Sequence, residues 1–374
     1  MVGGGRGAFI GAVHRMAARL DDRFTLVAGA LSADPERAMA SAAELGIRGY
    51  PNFTRMIAAE VAHPDGAEAV AIVTPNHMHH APAKAALEAG LDVICDKPLA
   101  LTVTEAEDLA AAVRRTGRVF VLTHNYSGHP MVRQARAMIR AGELGAIRVV
   151  QVEYPQDWLS TAIEATGQKQ ASWRTDPARA GLGGSLGDLG THAHHLAEFV
   201  TGLRVEHVLA DVQSFVPGRR VDDNAHLLLR FAGGARGMLW SSQVAPGNEN
   251  ALRLRVYGER GGLAWSQEHP NQLTHMPLGE APRVLARAVG ALHPAATHAT
   301  RIPSGHPEGY LEAFAQLYRD AAEQIAAKRD GRAPDPLSTD TPTVEDGVRG
   351  MRFVAAAVAS AQAGGVWTAL AGAG

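Results

Sequence analysis

Two short polar segments of the sequence carry side chains that can move a proton or stabilise a charge. Lys97 lies in Asp96-Lys97-Pro98, directly after an apolar run, and Asp188 precedes His192 by four residues. Histidine accepts a proton near neutral pH, a nearby carboxylate can orient it, and a lysine ammonium stabilises an oxygen that gains negative charge. These residue types could take a proton from a hydroxyl group and stabilise the resulting oxygen, although an Asp-x-x-x-His pair on one helix face is by itself more often structural.

Three neighbouring histidines, His192, His194 and His195, also raise the question of a zinc site. On a helix, His192 and His194 would point about 200° apart. Cys95 is the only cysteine of the chain, and zinc sites combine cysteine and histidine ligands at regular spacings. We therefore predict no metal site.

The N-terminal segment is rich in glycine. Gly3-Gly4-Gly5-Arg6-Gly7 precedes an amphipathic run that ends near Leu20. Backbone N–H groups of such a turn can approach a pyrophosphate, so the segment favours dinucleotide binding; the spacing is irregular, and a flexible N-terminus is the alternative. Only Met1-Val2 remain for the preceding strand, which normally needs about five residues. We expect the natural chain to start upstream of Met1.

The end of the second predicted strand bears on the choice between NAD and NADP. An acidic residue there binds the ribose hydroxyls and excludes a 2'-phosphate. Ser32 stands near this position instead, and Asp34, directly before Pro35, is predicted to cap a helix. Arg37 can attract a phosphate, although a solvated helix charge is the more frequent role of such a residue. Both cofactors stay open.

Apolar strands alternate with helical patterns over the first third of the chain. This alternation predicts a parallel sheet with helices on both faces, in which the residues that follow each strand meet at one edge. Thr74-Pro75-Asn76 and Lys97 follow such strands. The predicted strands are 24–31, 67–74, 91–95 and 119–123, and the predicted helices are 35–45, 78–88 and 104–115.

The remainder of the chain has a different rhythm. Alternating apolar residues and turn glycines predict a mainly antiparallel sheet. The stretch 282–307, with its proline and histidine residues, is predicted to be a long surface loop. The predicted strands are 147–154, 205–215, 225–231, 237–243, 252–257 and 263–266, and the predicted helices are 131–141, 308–328 and 344–362.

Length and composition limit the classes of protein that remain. A chain of 374 residues with 46% hydrophobic residues predicts about two globular domains. A net charge of -2 offers no basic surface for nucleic acid or an anionic membrane. No apolar run approaches the roughly 18 residues of a membrane span. The single cysteine fits a reducing compartment, so we expect a cytoplasmic protein with small-molecule partners.

Three motifs, in this order behind the glycine-rich start, resemble the glucose-fructose oxidoreductase/inositol dehydrogenase (Gfo/Idh/MocA) family. They are TPNHMH from Thr74 to His79, Asp96-Lys97-Pro98, and GSLGDLGTH from Gly184 to His192. The resemblance spans nearly the whole chain. It implies an N-terminal Rossmann domain, residues 1–124, and a C-terminal α/β domain, residues 125–374, for substrate binding and oligomerisation. This second domain has an open, mainly antiparallel sheet, and a homodimer or homotetramer is expected.

The resemblance also implies roles for individual residues. His192 matches the family's catalytic base, Asp188 its substrate-binding or supporting partner, and Lys97 the lysine that hydrogen-bonds the reacting hydroxyl, with Asp-Lys-Pro in place of Glu-Lys-Pro. The expected substrate-binding residues are Lys97, Tyr126, Trp158, Asp188 and His192. The expected cofactor-binding residues are Gly3, Gly5, Gly7, Phe9, Ile10, Ser32, Arg37, Thr74, Pro75, Asn76, His79, Asp96, Lys97, Asn125, Trp173 and Arg174.

The predicted function is the NAD- or NADP-dependent oxidation of a secondary hydroxyl of a sugar, glycoside or cyclitol. Two alternatives stay open. Some relatives retain the cofactor and use transient oxidation to hydrolyse or eliminate a glycoside, and a non-enzymatic ligand sensor can be built on the same fold. The presence of Lys97, Asp188 and His192 together favours the dehydrogenase.

Overall fold

The computed structural model describes residues 1–372, which form two compact units. The first unit comprises residues 1–128 and 310–348, and the second comprises residues 129–309 and, among the described residues, 349–372. This division differs from the predicted boundary after residue 124, because residues 310–348 pack with the N-terminal part of the chain. The functions assigned to the two domains stay predictions. Within residues 1–372, no helix is long and apolar enough to cross a membrane.

The N-terminal stretch alternates strands and helices. Its elements are β1 (Val2–Gly3), α1 (Phe9–Leu20), β2 (Ala28–Gly29), α2 (Pro35–Glu44), β3 (Arg48–Gly49), α3 (Phe53–Ala62), β4 (Ala69–Val73), α4 (His80–Glu88), β5 (Asp92–Cys95), α5 (Val103–Thr116) and β6 (Phe120–Leu122). Strands β1, β4, β5 and β6 pair in this order, all in parallel. Strands β2 and β3 form a second parallel pair. The predicted α/β class is confirmed.

Local signals explain where the helices of this stretch begin and end. Asp34 accepts the N–H of Arg37 at 2.8 Å and caps α2, as predicted. Helix α5 begins with a capping box between Thr102 and Glu105, and it ends at Gly117, whose φ of 62° suits glycine. These caps supply partners for N–H groups that have none within the helix.

Two predictions in this stretch are corrected. The predicted strand 24–31 is regular only over Ala28–Gly29, because its neighbour β1 has two residues and the ladder ends where Ala30 bonds to Met1 and Gly3. The predicted helix 78–88 begins instead as a 3₁₀ turn, Asn76–Met78, followed by α4. Helix α3 was not predicted, although Asn52 caps it as a sequence signal would allow.

The second unit is built on a large sheet. The elements that follow β6 are α6 (Pro130–Arg140), β7 (Ile147–Pro155), α7 (Lys169–Arg174), α8 (Pro177–Ala180), α9 (Thr191–Thr201), β8 (Val205–Gln213), β9 (Asn224–Phe231), β10 (Arg236–Ser242), β11 (Arg253–Gly258), β12 (Gly261–Ser266), β13 (Gln272–Pro277), β14 (Arg283–Ala286), α10 (Pro294–His298), α11 (Tyr310–Arg329), α12 (Val344–Gln362) and β15 (Thr368–Ala369). Helix α11 belongs to the first unit.

Nine strands form the sheet of the second unit, in the order β14-β13-β12-β11-β7-β10-β9-β8-β15. Seven neighbouring pairs are antiparallel, and the central pair β7 and β10 is parallel. The prediction of an open, mainly antiparallel sheet is therefore confirmed, with one parallel pair that the alternation pattern did not reveal. Helices α6 and α9 pack together and against this sheet.

The predicted surface loop at residues 282–307 is wrong in two places. Strand β14 and helix α10 both lie within it. Arg287 is buried. Its guanidinium donates to Asn271 at 2.8 Å, to the carbonyl of Ile302 at 2.6 Å and to Glu308 at 2.8 Å. A buried arginine needs such partners, and these partners are too distant in sequence for a local pattern to reveal.

Helix α11 completes the core of the first unit. Phe314, Tyr318 and Ala321 on α11 pack against Val13 of α1 and Val121 of β6. The chain also approaches α11 closely at Gly128, where a Cβ atom would lie 2.1 Å from the carbonyl oxygen of Ala313. A residue other than glycine at this position would displace the backbone.

Candidate active site

The glycine-rich turn between β1 and α1 packs closely against neighbouring segments of the first unit. A Cβ atom would lie 2.7 Å from Thr74 Cγ2 if placed at Gly3, and 2.6 Å from the carbonyl oxygen of Leu31 if placed at Gly5. Gly7 has a φ of 77° and open space where a Cβ would stand. The turn is therefore rich in glycine for two reasons, close packing and the left-handed backbone at Gly7.

Helix α1 presents an uncapped start directly after this turn. Ala8 provides no side-chain cap, and the first turn of α1 contains no acidic residue. Its first N–H groups and the positive end of the helix dipole are thus suited to an anion. Phe9 is 64% exposed at this start, and Ile10 is half-buried. The combination of glycine turn and uncapped helix fits the pyrophosphate of a dinucleotide.

The segment between β2 and α2 is arranged by short-range bonds. Ser32 Oγ accepts the N–H of Asp34 at 3.1 Å, and Asp34 in turn caps α2 through the N–H of Arg37. The Arg37 side chain is exposed. Ser32 thus binds the backbone of the residue that caps α2. The predicted contacts of Ser32 and Arg37 with the cofactor stay predictions.

His79 joins the loops that follow β4 and β5. Its Nδ1 lies 2.7 Å from the carbonyl oxygen of Pro98, and its Nε2 lies 2.8 Å from that of Thr74. Burial lowers the pKa of His79. Thr74 also donates its hydroxyl to the carbonyl of Met78 at 3.1 Å, and Asn76 is buried after Pro75 in the 3₁₀ turn. The loop is held in place by its own side chains.

Asp96 is the charged centre of the loop after β5. It accepts the hydroxyl of Thr123 at 2.9 Å, and Nε2 of His14 lies 3.8 Å from the same oxygen. Burial by itself would raise the pKa of Asp96, but His14, Lys97 and His79 lower it to about 2. Asp96 is therefore an anion at neutral pH beside Lys97, which is half-buried before a cis bond to Pro98.

His14 extends this cluster into the core of the first unit. It is completely buried in α1, and its Nδ1 lies 2.8 Å from the hydroxyl of Tyr318 on α11. The Tyr318 hydroxyl cannot ionise readily, because burial raises its pKa above the ordinary range. Tyr318, His14 and Asp96 thus form a chain of polar contacts to the residue before Lys97, and sequence reasoning did not identify the first two.

Asn125 and Tyr126 lie in the 3₁₀ turn Asn125–Gly128 after β6, and both are buried. The N–H of Asn125 donates to the carbonyl of Thr123 at 2.8 Å. Because β6 is parallel to β5, this turn and the Asp96 loop follow the same end of neighbouring strands. The predicted pocket roles of Asn125 and Tyr126 stay predictions.

In the second unit, the carboxylate of Asp188 is held by two donors. Arg174 Nε donates to Asp188 Oδ2 at 3.1 Å, and Gln243 Nε2 donates to the same oxygen at 3.2 Å. The side chains of Arg174 and Asp188 are about one-quarter and one-fifth exposed. The ion pair is thus partly desolvated, and the charges of Arg174 and Asp188 neutralise each other.

Two indole rings surround the guanidinium of Arg174. The guanidinium lies 4.2 Å from the ring centre of Trp173 and 5.9 Å from that of Trp158. Its NH1 donates to Gln170 at 2.6 Å. Trp173 and Arg174 therefore stack beside Asp188, and their predicted contacts with the cofactor stay predictions.

The segment that carries Asp188 and His192 is not a regular α-helix. Leu186–Gly190 forms a π-helical turn, and α9 continues from Thr191. Such turns often occur at functional sites, and the predicted placement of Asp188 and His192 on one face stays a prediction. His192 is buried, with its ring centre 6.0 Å from that of Tyr154.

Comparison with known proteins identifies the family. Residues 1–126 match the model of an oxidoreductase family with an NAD-binding Rossmann fold, and residues 132–264 match the model of the GFO/IDH/MocA C-terminal domain. The chain belongs to the Gfo/Idh/MocA family of oxidoreductases. The predicted family membership is thus confirmed, and so is the predicted dinucleotide-binding Rossmann fold, which the family model describes as NAD-binding.

Two solved structures and one curated relative resemble this Gfo/Idh/MocA protein over most of its length. An oxidoreductase from Sinorhizobium meliloti is 53% identical, with 98% of each chain covered and a TM-score of 0.89. An inositol dehydrogenase homologue from Azotobacter vinelandii, solved with NAD+, is 43% identical, with 99% and 96% covered and a TM-score of 0.93. Levoglucosan dehydrogenase of Pseudarthrobacter phenanthrenivorans is 30% identical over 73% of this chain and 74% of its own.

These similarities agree with the geometry of the first unit. The protein is an NAD-dependent oxidoreductase of the Gfo/Idh/MocA family, and the glycine turn with the uncapped start of α1 would hold the pyrophosphate of NAD. The predicted catalytic and binding roles of individual residues stay predictions, as does the predicted homo-oligomer.

The other histidines of α9 have packing partners. His194 stacks on Phe353 with ring centres 4.3 Å apart and lies 3.4 Å from Glu198, and His195 stacks on Phe199. Across residues 1–372, no group of three or more histidine, cysteine, aspartate or glutamate side chains is placed to hold a metal ion.

Sequence reasoning missed several residues that hold the Gfo/Idh/MocA motifs in place. Gln243, which binds Asp188, lies 55 residues further along the chain and belongs to no motif. Ala8 was also overlooked: Gly3, Gly5 and Ala8 have the spacing G-x-G-x-x-A, in which alanine replaces the third glycine of the dinucleotide pattern. This second signal was present in the sequence, whereas Gln243 required the fold.

Proposed function

We propose that this protein oxidises a secondary hydroxyl of a neutral sugar, glycoside or cyclitol. The observation that carries the proposal is the arrangement around Asp188. Its carboxylate accepts from Arg174 and Gln243, and Arg174 is flanked by Trp158 and Trp173. Hydrogen-bonding groups beside flat apolar rings suit a polyhydroxylated ring, which has polar edges and an apolar C–H face.

The neutral charge of the substrate follows from the ion pair. Arg174 would bind a carboxylate or phosphate strongly if its guanidinium were available. Its Nε and NH1 instead donate to Asp188 and Gln170. Because Asp188 offsets the charge of Arg174, the pair attracts an anionic substrate less than an unpaired guanidinium would, whereas a neutral hydroxyl group does not depend on that charge.

The reaction assigns one task to each of three side chains. His192 takes the proton of the substrate hydroxyl, Lys97 stabilises the oxygen as it becomes negative, and Asp188 orients the substrate or the base. Bound NAD would supply the acceptor for the hydride that leaves the carbinol carbon. The substrate thereby loses a proton and a hydride and becomes a ketone.

The relatives support a polyol or sugar as substrate. The Azotobacter vinelandii homologue has also been solved with NADH and myo-inositol, at 42% identity and a TM-score of 0.91. The levoglucosan dehydrogenase structures contain NADH with levoglucosan or with L-sorbose. We propose a ligand of this class for the present protein, with NAD as its preferred nicotinamide.

The test is a substrate panel read by the absorbance of reduced nicotinamide. Purified protein is incubated with NAD or NADP and with myo-inositol, levoglucosan, L-sorbose or glucose. We expect reduced cofactor to accumulate with at least one neutral polyol, and its rate of formation to fall by about 100-fold or more in His192→Ala and Lys97→Ala, since each removes a group that acts on the reacting oxygen. Binding of NADH, measured by fluorescence, should persist in both variants.

Matched controls are available for both substitutions. His269 is exposed and Lys84 pairs with Asp108 on the first unit, so His269→Ala and Lys84→Ala should retain turnover. Normal turnover in both His192→Ala and Lys97→Ala would contradict the proposed roles. Release of a product without net reduced cofactor would contradict the dehydrogenase and favour transient oxidation, and bound cofactor with no product would favour a sensor.

A further inference from the structure

Asp222 accepts hydrogen bonds from three consecutive backbone N–H groups of the segment that carries the candidate base. Its Oδ1 accepts from Gly184 at 2.6 Å, its Oδ2 accepts from Leu186 at 2.7 Å, and its carbonyl accepts from Ser185 at 2.9 Å. These donors lie at the start of the π-helical turn Leu186–Gly190. The first N–H groups of a helix have no partner within the helix, so a residue from a distant segment supplies them.

The contact is too close to be incidental. A Cβ atom at Gly184 would lie 2.1 Å from the carbonyl oxygen of Asp222 and 2.8 Å from Cγ2 of Val221. Glycine is therefore required at residue 184 for the two segments to meet. Asp222 is itself buried, and both of its carboxylate oxygens are used by this segment. Gly184, the first residue of the family motif, is thus explained by its close approach to Asp222.

Asp223, the next residue in the chain, is linked to Asp188 through Gln243. The carbonyl of Asp223 accepts the N–H of Gln243 at 2.8 Å, and the Gln243 side chain donates to Asp188. Asp222 therefore holds the backbone before Asp188, while Asp223 holds the residue that binds the Asp188 carboxylate. Both aspartates lie directly before β9.

We propose that Asp222 is a positioning residue for Asp188 and His192, which sets the place of the π-helical turn without touching the substrate. The inference rests on the proposed function, since it concerns how two proposed site residues are held. A carboxylate suits this task because it offers two acceptors to two N–H donors that lie on either side of Ser185 in the chain. No neutral side chain of the same size offers two acceptor oxygens to both donors.

The test replaces Asp222 by asparagine. In Asp222→Asn the side chain would keep one acceptor oxygen and turn an NH2 group towards the other backbone N–H, which displaces the start of the turn. Since a small misplacement of reacting groups costs up to about 100-fold in rate, we expect Asp222→Asn to lower kcat by about 10- to 100-fold. KM for the best panel substrate should change by less than about threefold, because the contacts made with bound substrate remain. NADH affinity should be unchanged.

A second readout does not depend on turnover. Amide hydrogen exchange of the peptide that spans residues 183–192 should accelerate in Asp222→Asn, because two of its N–H groups lose or weaken their partner. Asp222→Ser, which retains a single short acceptor, serves as a second variant. Asp211→Asn makes the same chemical change at an exposed position of the neighbouring strand β8 and should alter neither exchange nor kcat.

Each outcome decides the proposal. Lowered kcat with near-normal KM and faster exchange would support it. Unchanged kcat or unchanged exchange in a folded Asp222→Asn would overturn it, and failure of both variants to fold would assign Asp222 to stability alone and overturn it as well. His192→Ala in the same assay separates the two hypotheses: if it retains wild-type kcat, the proposed function fails, whereas an inactive His192→Ala with normal Asp222→Asn refutes only the positioning role.

Discussion

Asp96 in the first unit and Asp222 in the second are both largely buried carboxylates, and burial acts on both in the same direction. The pKa of Asp96 nevertheless falls to about 2, because His14, Lys97 and His79 outweigh burial. The pKa of Asp222 rises to about 6, because burial outweighs the backbone N–H groups of Leu186 and Gly184. The imidazoles of His14 and His79 together with Lys97 thus stabilise the carboxylate of Asp96 more than backbone N–H groups stabilise that of Asp222.

The two carboxylates also differ in how they hold their surroundings. Asp96 is tied to side chains that follow strands of one parallel sheet, so its loop is organised by neighbours at the strand ends. Asp222 is tied to a segment 36 to 38 residues earlier in the chain. The first unit therefore holds its motif by sheet topology, and the second holds its motif by buried polar bonds between distant segments.

The largest expected effect tests the buried bonds of the second unit. The Arg219 side chain is 1% exposed; it binds Glu164 through two bonds and Asp223 through one. Arg219→Ala leaves these carboxylates without their cation and should lower the free energy of unfolding by about 3 to 5 kcal/mol. The adjacent Arg220 is 68% exposed and pairs with Asp176, so Arg220→Ala should cost less than about 1 kcal/mol. Denaturant unfolding measures the loss of unfolding free energy in Arg219→Ala and in Arg220→Ala. Equal losses would contradict the proposed difference between the buried and the exposed arginine.

A second prediction concerns the pH dependence of stability. The folded pKa of Asp222, about 6, exceeds its ordinary value of 3.8, so the folded state binds the proton more tightly. Its contribution to stability is fully present below pH 3.8 and is lost as the pH rises through 6. The stability of wild type relative to Asp222→Asn should therefore fall by on the order of 3 kcal/mol over this range.

Asp96 should show the opposite sign in the same experiment. Its folded pKa of about 2 lies below 3.8, so its contribution is present above pH 3.8 and is lost as the pH falls towards 2. Unfolding curves of wild type, Asp222→Asn and Asp96→Asn across this range check both signs. Parallel curves for the two variants would show that their surroundings act alike and would remove the comparison.

The smallest expected effect sharpens the account of the first unit. Tyr318→Phe removes the hydroxyl that meets Nδ1 of buried His14 at 2.8 Å. Loss of this partner should destabilise the protein by about 1 to 2 kcal/mol. Tyr257→Phe, at a half-buried position of β11, is the control and should stay near wild type. An unchanged free energy of unfolding in Tyr318→Phe would mean that His14 finds another partner.

Much of the first unit was predictable because its signals are local. Asp34 capped α2 as predicted, and the apolar runs before Thr74 and Lys97 became β4 and β5. The extent of β2 was not predictable from its own residues, since a strand ends where its neighbour β1 stops offering partners. The β-propensity of a segment indicates that it can form a strand, whereas pairing with its neighbours decides how long that strand is.

The candidate site of the second unit was predictable only in part. The motif singled out Asp188 and His192 as candidates, and the family resemblance added Trp173 and Arg174. The π-helical turn, Gln243 and Asp222 were not, because none of them leaves a periodic or compositional signal. The backbone hydrogen bonds of a π turn span one residue more than those of an α turn. A buried hydrogen bond needs only two groups that the fold brings together.

The sequence by itself determined the family, the α/β class, the glycine-rich turn and the three side chains proposed for chemistry. These features depend on residues that lie close together in the sequence, so they can be recognised without knowledge of the fold. The tertiary structure alone decided that Arg174 neutralises Asp188, that α11 packs with the first unit and that Asp222 starts the turn before His192. Those contacts join residues that are separated in sequence and meet only after folding. Folding also removes polar groups from water, so they depend on partners within the protein.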